Sequence, residues 1–539
     1  MAEQAATVEV LPSKGSRLDS HITRKPGSVS IALFLLALAV GLCFIALQVS
    51  RDIKTVTVTS TWPYLLLSLA LLIALGFEFV NGFHDTANAV ATVIYTHSLE
   101  PITAVVWSGI CNLAGVILSP LAVAFVIISL LPVDLILQVS SGAGYAMVFA
   151  LLIAAILWNL GTWWLGLPAS SSHTMVGSII GVGIASQLFN PHTGTSGVDW
   201  EQAIKVLKAL LFSPLVGFFL AALLLVLSKA LFRYPALYKE PANKQPPPWP
   251  VRALLLLTCS GVSFFHGSND GQKGMGLIML ILIGTMPTAY ALNHSVTANE
   301  IQQFIAASEQ AGHILDRHAE QNGSQISDAR GEVTNYIRTR QLHPDTVLAL
   351  RKLVEDLGRE IAPYKELKAI PASRQTSVRN DIYLAGEAIS LMQKNHNPAF
   401  TAEENKGLNS YKSNLDKTIK FIPLWVKVAV ALALGLGTMV GWKRIVITVG
   451  ERIGKEHLTY AQGACAELVA MSTIYAAGSY GLPVSTTHIL SSGVAGTMAA
   501  NGSGLRMSTI RNIASVWVFT LPAAALLSGL LYALFRLVH

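Results

Sequence analysis

Charge is scarce in this chain. Asp, Glu, Lys and Arg make up only 13% of its 539 residues, against roughly 25% in an average soluble protein. That scarcity excludes an ordinary water-soluble globule. Cysteine is also rare. Cys43, Cys111, Cys259 and Cys465 stand apart, each in an apolar run, and no Cys-x-x-Cys occurs. They read as small buried apolar residues and reveal nothing of the redox compartment. Alternation of apolar and polar residues with period two is missing as well, which argues against a transmembrane β-barrel. A nucleotide-binding Gly-x-x-x-x-Gly-Lys-Ser/Thr loop is absent too, so any work done by the protein must draw on a gradient.

Long apolar runs are abundant. The clearest are 31–49, 64–81, 103–131, 207–228, 423–441 and 512–535. Runs of ~20 residues cross ~30 Å of hydrocarbon as helices, and the pattern predicts about ten to twelve membrane segments. The net charge of +7 lies wholly outside residues 293–422, which hold 16 basic and 16 acidic residues. Basic loops and ends fit the positive-inside bias, and nucleic-acid binding is not expected.

Two motifs occur twice. Phe79-Val-Asn81-Gly-Phe-His84-Asp85-Thr-Ala-Asn88-Ala is answered by Phe264-Phe-His266-Gly-Ser-Asn269-Asp270-Gly-Gln-Lys273-Gly. Pro168-Ala-Ser170-Ser171-Ser172-His173 is answered by Pro483-Val-Ser485-Thr486-Thr487-His488. Asp85 precedes Pro168 by 83 residues, and Asp270 precedes Pro483 by 213. The difference of 130 is the length of the neutral polar stretch 293–422. One membrane unit is therefore written twice, with an insert in the second copy.

The order along the chain follows. Residues 1–30 form a basic polar tail, expected in the cytoplasm, and 31–49 a retained extra anchor. The first repeat runs over 62–228, with its first helix broken at Asn81-Gly82. A basic, Pro-rich linker at 229–252 lies inside. The second repeat begins at 253–292, with a break expected at His266-Gly267, and ends at 423–536. Because each repeat starts from the opposite side, the fold predicted is an all-α polytopic membrane protein. Its plan is an inverted-topology duplicated repeat with broken helices and hairpins, plus a small helical soluble insert. The insert falls outside by this count.

Asp85 and Asp270 stand beside helix breaks within the membrane. A buried carboxylate there costs several kcal/mol unless it is paired, protonated or bound to a cation. Asn81, Asn88 and Asn269 flank them with amide oxygens, hard ligands suited to sodium or a hydrated divalent ion, or else to hydrogen bonds between helices. Ser170, Ser171, Ser172 and Ser485, Thr486, Thr487 follow a proline at a helix start. There hydroxyls and free backbone N–H groups make an anion site without net charge. His84 and His266 are candidates for proton handling, and His173 and His488 for structural hydrogen bonds. Glu78 and Glu467 read equally as proton relays and as bundle partners. Lys273 takes the place that matches Asn88. A fixed ammonium there substitutes for a bound cation, which favours proton over sodium coupling. The ligand expected is a small oxyanion. Phosphate suits it better than sulfate, since its proton can be accepted by an Asp carboxylate.

These four motifs, in this order, resemble the duplicated signatures of the inorganic phosphate transporter family, over essentially all of 62–536. The resemblance is nearest to the bacterial low-affinity branch, which shares the polar insert. It implies phosphate symport across the bacterial inner membrane by alternating access, with no cofactor and no resident metal. For that branch it implies proton coupling and uptake of neutral divalent metal–phosphate complexes. It also implies a homodimer. Other branches use sodium, and some members carry sulfate. Gly271-Gln-Lys273-Gly departs from the sodium-type pattern. A membrane sensor and a membrane hydrolase remain as competing readings, to be separated by net phosphate accumulation and by phosphate release from esters.

Overall fold

The computed structural model describes residues 27–53, 62–85, 87–131, 136, 142–189, 198–241, 246–319 and 326–538. Most of the expected cytoplasmic tail, the loop 54–61 and much of the loops around 137 and 193 lie outside the described residues. The described chain is helical throughout, with a single isolated bridge between Gly454 and Leu505.

Helix α1 spans Ser28–Ile53. The first repeat contains α2 (Trp62–Asp85), α3 (Ala87–Tyr95), α4 (Pro101–Ile117), α5 (Ala122–Ser129), α6 (Gly142–Trp164), α7 (Ser171–Phe189) and α8 (Trp200–Leu231). Helix α9 (Trp249–Thr285) opens the second repeat. The insert is built of α10 (Ala298–His318), α11 (Ala329–Thr339), α12 (Thr346–Ile361), α13 (Ala372–Asn395) and α14 (Ala402–Ile419). Then α15 (Leu424–Thr438), α16 (Tyr460–Ser479), α17 (Thr486–Asn501) and α18 (Met507–Val538) complete the membrane part.

Among the described residues six helices are long and apolar enough to cross a membrane alone, and up to eight if two bent pairs each count as one. This is fewer than the ten to twelve segments expected. Helices such as α7 and α17 are rich in Gly and hydroxyls and buried along most of their length. They sit inside the bundle with little lipid-facing surface.

Corresponding helices pair reciprocally. Helix α2 packs on α15, and its counterpart α9 packs on α4. Helix α7 packs on α18, and α17 packs on α8. Association in lipid depends on close packing rather than on the hydrophobic effect, so small residues line such contacts. Gly82 and Gly267 are matched in the two repeats. A Cβ on Gly82 would collide with the Leu434 carbonyl, and one on Gly267 with the Asn112 carbonyl.

The expected break at His266-Gly267 is absent: α9 is one helix from Trp249 to Thr285. Two facts explain this. Gly267 is needed for contact with α4, not for unwinding. Asp270 is paired with Lys273 one turn along the same helix, so its charge requires no exposed backbone. In the first repeat the helix continues through Asn81-Gly82 and ends four residues later than expected, at Asp85.

The insert has its own core. Leu350, Leu353, Val354, Leu357 and Ile361 recur at helical spacing on α12 and face Phe304, Ile314, Val378, Ile382 and Leu408. Thr297 with Glu300 and Thr401 with Glu404 close capping boxes at the starts of α10 and α14. The insert docks on one end of the membrane bundle. Arg340 pairs with Asp199 at 2.8 Å, Lys394 pairs with Glu201, and Arg379 donates to the Ile136 carbonyl at 2.9 Å. Burial of the Arg379 guanidinium lowers its pKa to about 10.

Candidate functional site

The reciprocal pairing brings both copies of both motifs to one buried place. Asp85 ends α2, and α7 and α17 begin at the two hydroxyl turns. Each first serine caps its own helix. Ser170 Oγ accepts from the His173 N–H at 3.2 Å, and Ser485 Oγ accepts from the His488 N–H at 3.1 Å. The later hydroxyls serve the site. Ser171 donates to Asp85 and reaches Asp270 at 3.3 Å, while Thr487 donates to Asp85 at 2.8 Å from the other repeat. Ser172 receives a hydrogen bond from Lys273 and donates to the Val484 carbonyl at 2.8 Å. Thr486 Oγ1 is buried with no hydrogen-bond partner among the described residues.

The two carboxylates have different company. His84 Nδ1 lies 2.9 Å from Asp85, and His84 Nε2 lies 3.0 Å from Thr162 Oγ1. Asp270 pairs with Lys273 Nζ at 2.8 Å, with His266 Nε2 at 3.7 Å. His266 is oriented through its Nδ1, 2.8 Å from Asn112 Oδ1. All these side chains are buried. One ligand atom from each of Asp85, His266 and Asp270 falls within 4.8 Å of the others, close enough to share a cation.

Two amides bond elsewhere. Asn81 turns away from Asp85 and donates to Glu78 at 3.5 Å. Asn269 donates to the Leu482 carbonyl at 3.1 Å. The side chain of Asn88 lies outside the described residues. His173 and His488 meet with ring centroids 4.5 Å apart, and His488 stacks on Trp517 at 4.0 Å. Glu467 stands apart from the site, accepting from Thr92 and Thr258.

Sequence reading missed Thr162, Asn112 and Gln272. Gln272 Oε1 accepts the Val123 N–H at 2.9 Å and so holds the start of α5. Asn112 carried a signal, being an amide in an otherwise apolar run. Gln272 carried one too, as an amide inside the second motif, and Thr162 carried none.

Residues 81–528 match the PHO4 phosphate transporter family. The chain belongs to that family. Among curated relatives of this phosphate transporter, the low-affinity inorganic phosphate transporter PitA of Escherichia coli (strain K12) is 43% identical over 490 residues, covering 87% of this chain and 96% of PitA. PitB of the same strain is 40% identical over 484 residues, covering 87% and 96%. The solved structure titled "The sodium-dependent phosphate transporter" is 17% identical with a TM-score of 0.49, covering 88% of this chain and 100% of that one. The transporter's fold as an all-α polytopic membrane protein rests on its own helices.

Proposed function

We propose that this phosphate transporter imports phosphate by proton symport with alternating access, and accepts it also as the neutral complex with a divalent metal. The site supports an oxyanion by two helix starts and by hydroxyls from both repeats. Asp85, with His84 beside it, supplies acceptors for a phosphate proton. Asp85, His266 and Asp270 supply oxygen and nitrogen ligands for a metal arriving with phosphate.

The observation that carries the proton reading is the pair between Lys273 and Asp270. A sodium ion in the second repeat needs an oxygen ligand where Asn88 stands in the first. An ammonium occupies that place and neutralises the carboxylate. Sodium symport is the second reading. It is favoured by Asp85, which takes neutral hydroxyl donors from Ser171 and Thr487.

The protein would lie in the bacterial inner membrane, with its tail inside and the insert outside. Asp199 and Ile136 belong to loops without Lys or Arg over 132–141 and 190–199, as outer loops are, and both contact the insert, which favours that orientation. The inverted duplication is favoured by the reciprocal helix pairs.

The test is radiolabelled phosphate uptake into proteoliposomes under an imposed pH or sodium gradient, with and without Mg²⁺. Uptake driven by the pH gradient and abolished by a protonophore is expected. Uptake driven only by sodium would overturn proton coupling.

A further inference from the structure

The duplication leaves one acid and one lysine unmatched, and each motif histidine falls on an asparagine, His84 on Asn269 and His266 on Asn81. Asp85 and Asp270 are 185 residues apart, and by that offset Glu78 corresponds to Ser263 and Asn88 to Lys273. One acid belongs only to the first repeat, and one base only to the second. Ser263 is neutral and bonds Ser108 at 2.8 Å.

Glu78 and Lys273 meet at one helix contact, Glu78 lying against Gly274. Glu78 lies two turns before Asp85 on α2, on the same face, and is fully buried. One oxygen takes the 3.5 Å bond from Asn81. The other lies against Gly274, where a Cβ would collide with it. Gly274 directly follows Lys273, whose ammonium is held by Asp270 and Ser172. The absence of a side chain at position 274 is what admits the carboxyl group.

Glu78 and Asp85 are thereby prepared for different states. Asp85 has His84, Ser171 and Thr487 around its oxygens, a set that holds a charge. Glu78 has the long amide contact and the Gly274 backbone N–H beside its other oxygen, with no hydroxyl or imidazole donor among the described residues. A carboxyl group with so few donors in a dry interior gains by taking a proton. The charged groups that act on it are Asp270 and Lys273 of α9. On its own helix stand His84 and Asp85. Of the other helices on α2, α7 brings His173, α6 brings Tyr145, and α3 brings Tyr95, bonded to Glu451. Helix α15 brings Lys427, which turns to the Ile117 and Ser119 carbonyls.

We propose that Glu78 carries the coupling proton, an inference that rests on the proton-symport reading. A proton from the outer water bonds to a Glu78 carboxylate oxygen and cancels its charge. The site beside Asp270 and Lys273 then carries one negative charge less when phosphate enters. On the inner side the O–H bond breaks, the proton leaves to water, and the carboxylate returns.

The test uses the full chain in proteoliposomes and compares wild type, Glu78→Gln and Glu78→Asp. Two assays are run: accumulation of radiolabelled phosphate under a pH gradient, and phosphate–phosphate exchange without one, across a pH series. One pH unit coupled to one proton supports about tenfold accumulation. Glu78→Gln is expected to abolish accumulation yet keep exchange, with the pH dependence of exchange flattened. Glu78→Asp is expected to retain both. Glu78→Gln that accumulates like wild type would overturn the inference alone. So would loss of exchange together with accumulation, since that marks a structural role. Wild type that ignores the pH gradient would overturn the proton reading, and this inference with it.

Discussion

Asp85 and Asp270 occupy one position in two copies of the same unit, and they are stabilised by different means. Asp85 is surrounded by hydroxyls and an imidazole drawn from both repeats. Asp270 leans on an ammonium from its own helix. Neutral donors leave a carboxylate able to exchange partners with an arriving ligand. A buried ion pair holds one oxygen fixed, because separating it strands a charge, and leaves Asp270 only the oxygen that faces His266 and Ser171 for an arriving ligand. The two motifs are alike in sequence, and a few differences between them give the two carboxylates distinct electrostatic surroundings.

The largest test of that contrast is stability. Asp270→Asn leaves Lys273 buried and unpaired and is expected to cost about 3–5 kcal/mol, read from unfolding in detergent. Asp85→Asn keeps hydrogen-bonding capacity and is expected to cost about 1–3 kcal/mol. Both should lose uptake. Asp270→Asn combined with Lys273→Asn should regain most of the lost stability. Equal costs for the two single variants would erase the distinction.

The glycines sharpen the comparison from the opposite direction. Gly82→Ala and Gly267→Ala each force a methyl group against a carbonyl of the partner helix. About 1–3 kcal/mol is expected for either, and the two should be similar because the crossings are matched. A large inequality would show that the repeats differ in packing as well as in charge.

A smaller effect separates the donors. Thr487→Val removes one hydroxyl from Asp85 and is expected to cost about 1 kcal/mol, seen as a several-fold rise in KM for phosphate. The smallest effect lies in the insert. Thr401→Ala removes a helix cap, with about 1 kcal/mol lost and transport unchanged. The Thr401 backbone N–H also holds the Glu404 carboxyl below its usual range. A depressed carboxyl stabilises the fold above its unfolded value and loses that contribution as pH falls through the folded one. Acid titration of helix content in Glu404→Gln should therefore show a shallower loss than in wild type.

The duplication was legible because its signal is local. A carboxylate, an amide and three hydroxyls in apolar surroundings are conspicuous, and spacing alone reveals the insertion. The insert was legible because its charges balance and its apolar residues follow helical spacing, as on α12. The continuity of α9 was hidden. Gly267 marks a helix break in isolation, and only the place of Asn112, 155 residues earlier, shows that it marks a crossing. Glu78 was ambiguous for the same reason: its meaning depends on Gly274, which has no side chain to announce a role. Asn81 sits four residues before Asp85, yet its amide turns to Glu78, three residues before it on the same helix.

The exchange of partners between α7 and α17 bears on how the protein is made. Helix α7 leans on α18, which begins 318 residues after α7 ends. At roughly 5–20 residues per second of synthesis, the first half waits tens of seconds in the bilayer before its neighbour exists. During that interval the small-residue face around Gly177 and Gly181, later closed by Leu521 and Ala525, must be shielded by lipid or by the insertion machinery. A ribosome that stops before Met507 leaves that face without its partner helix.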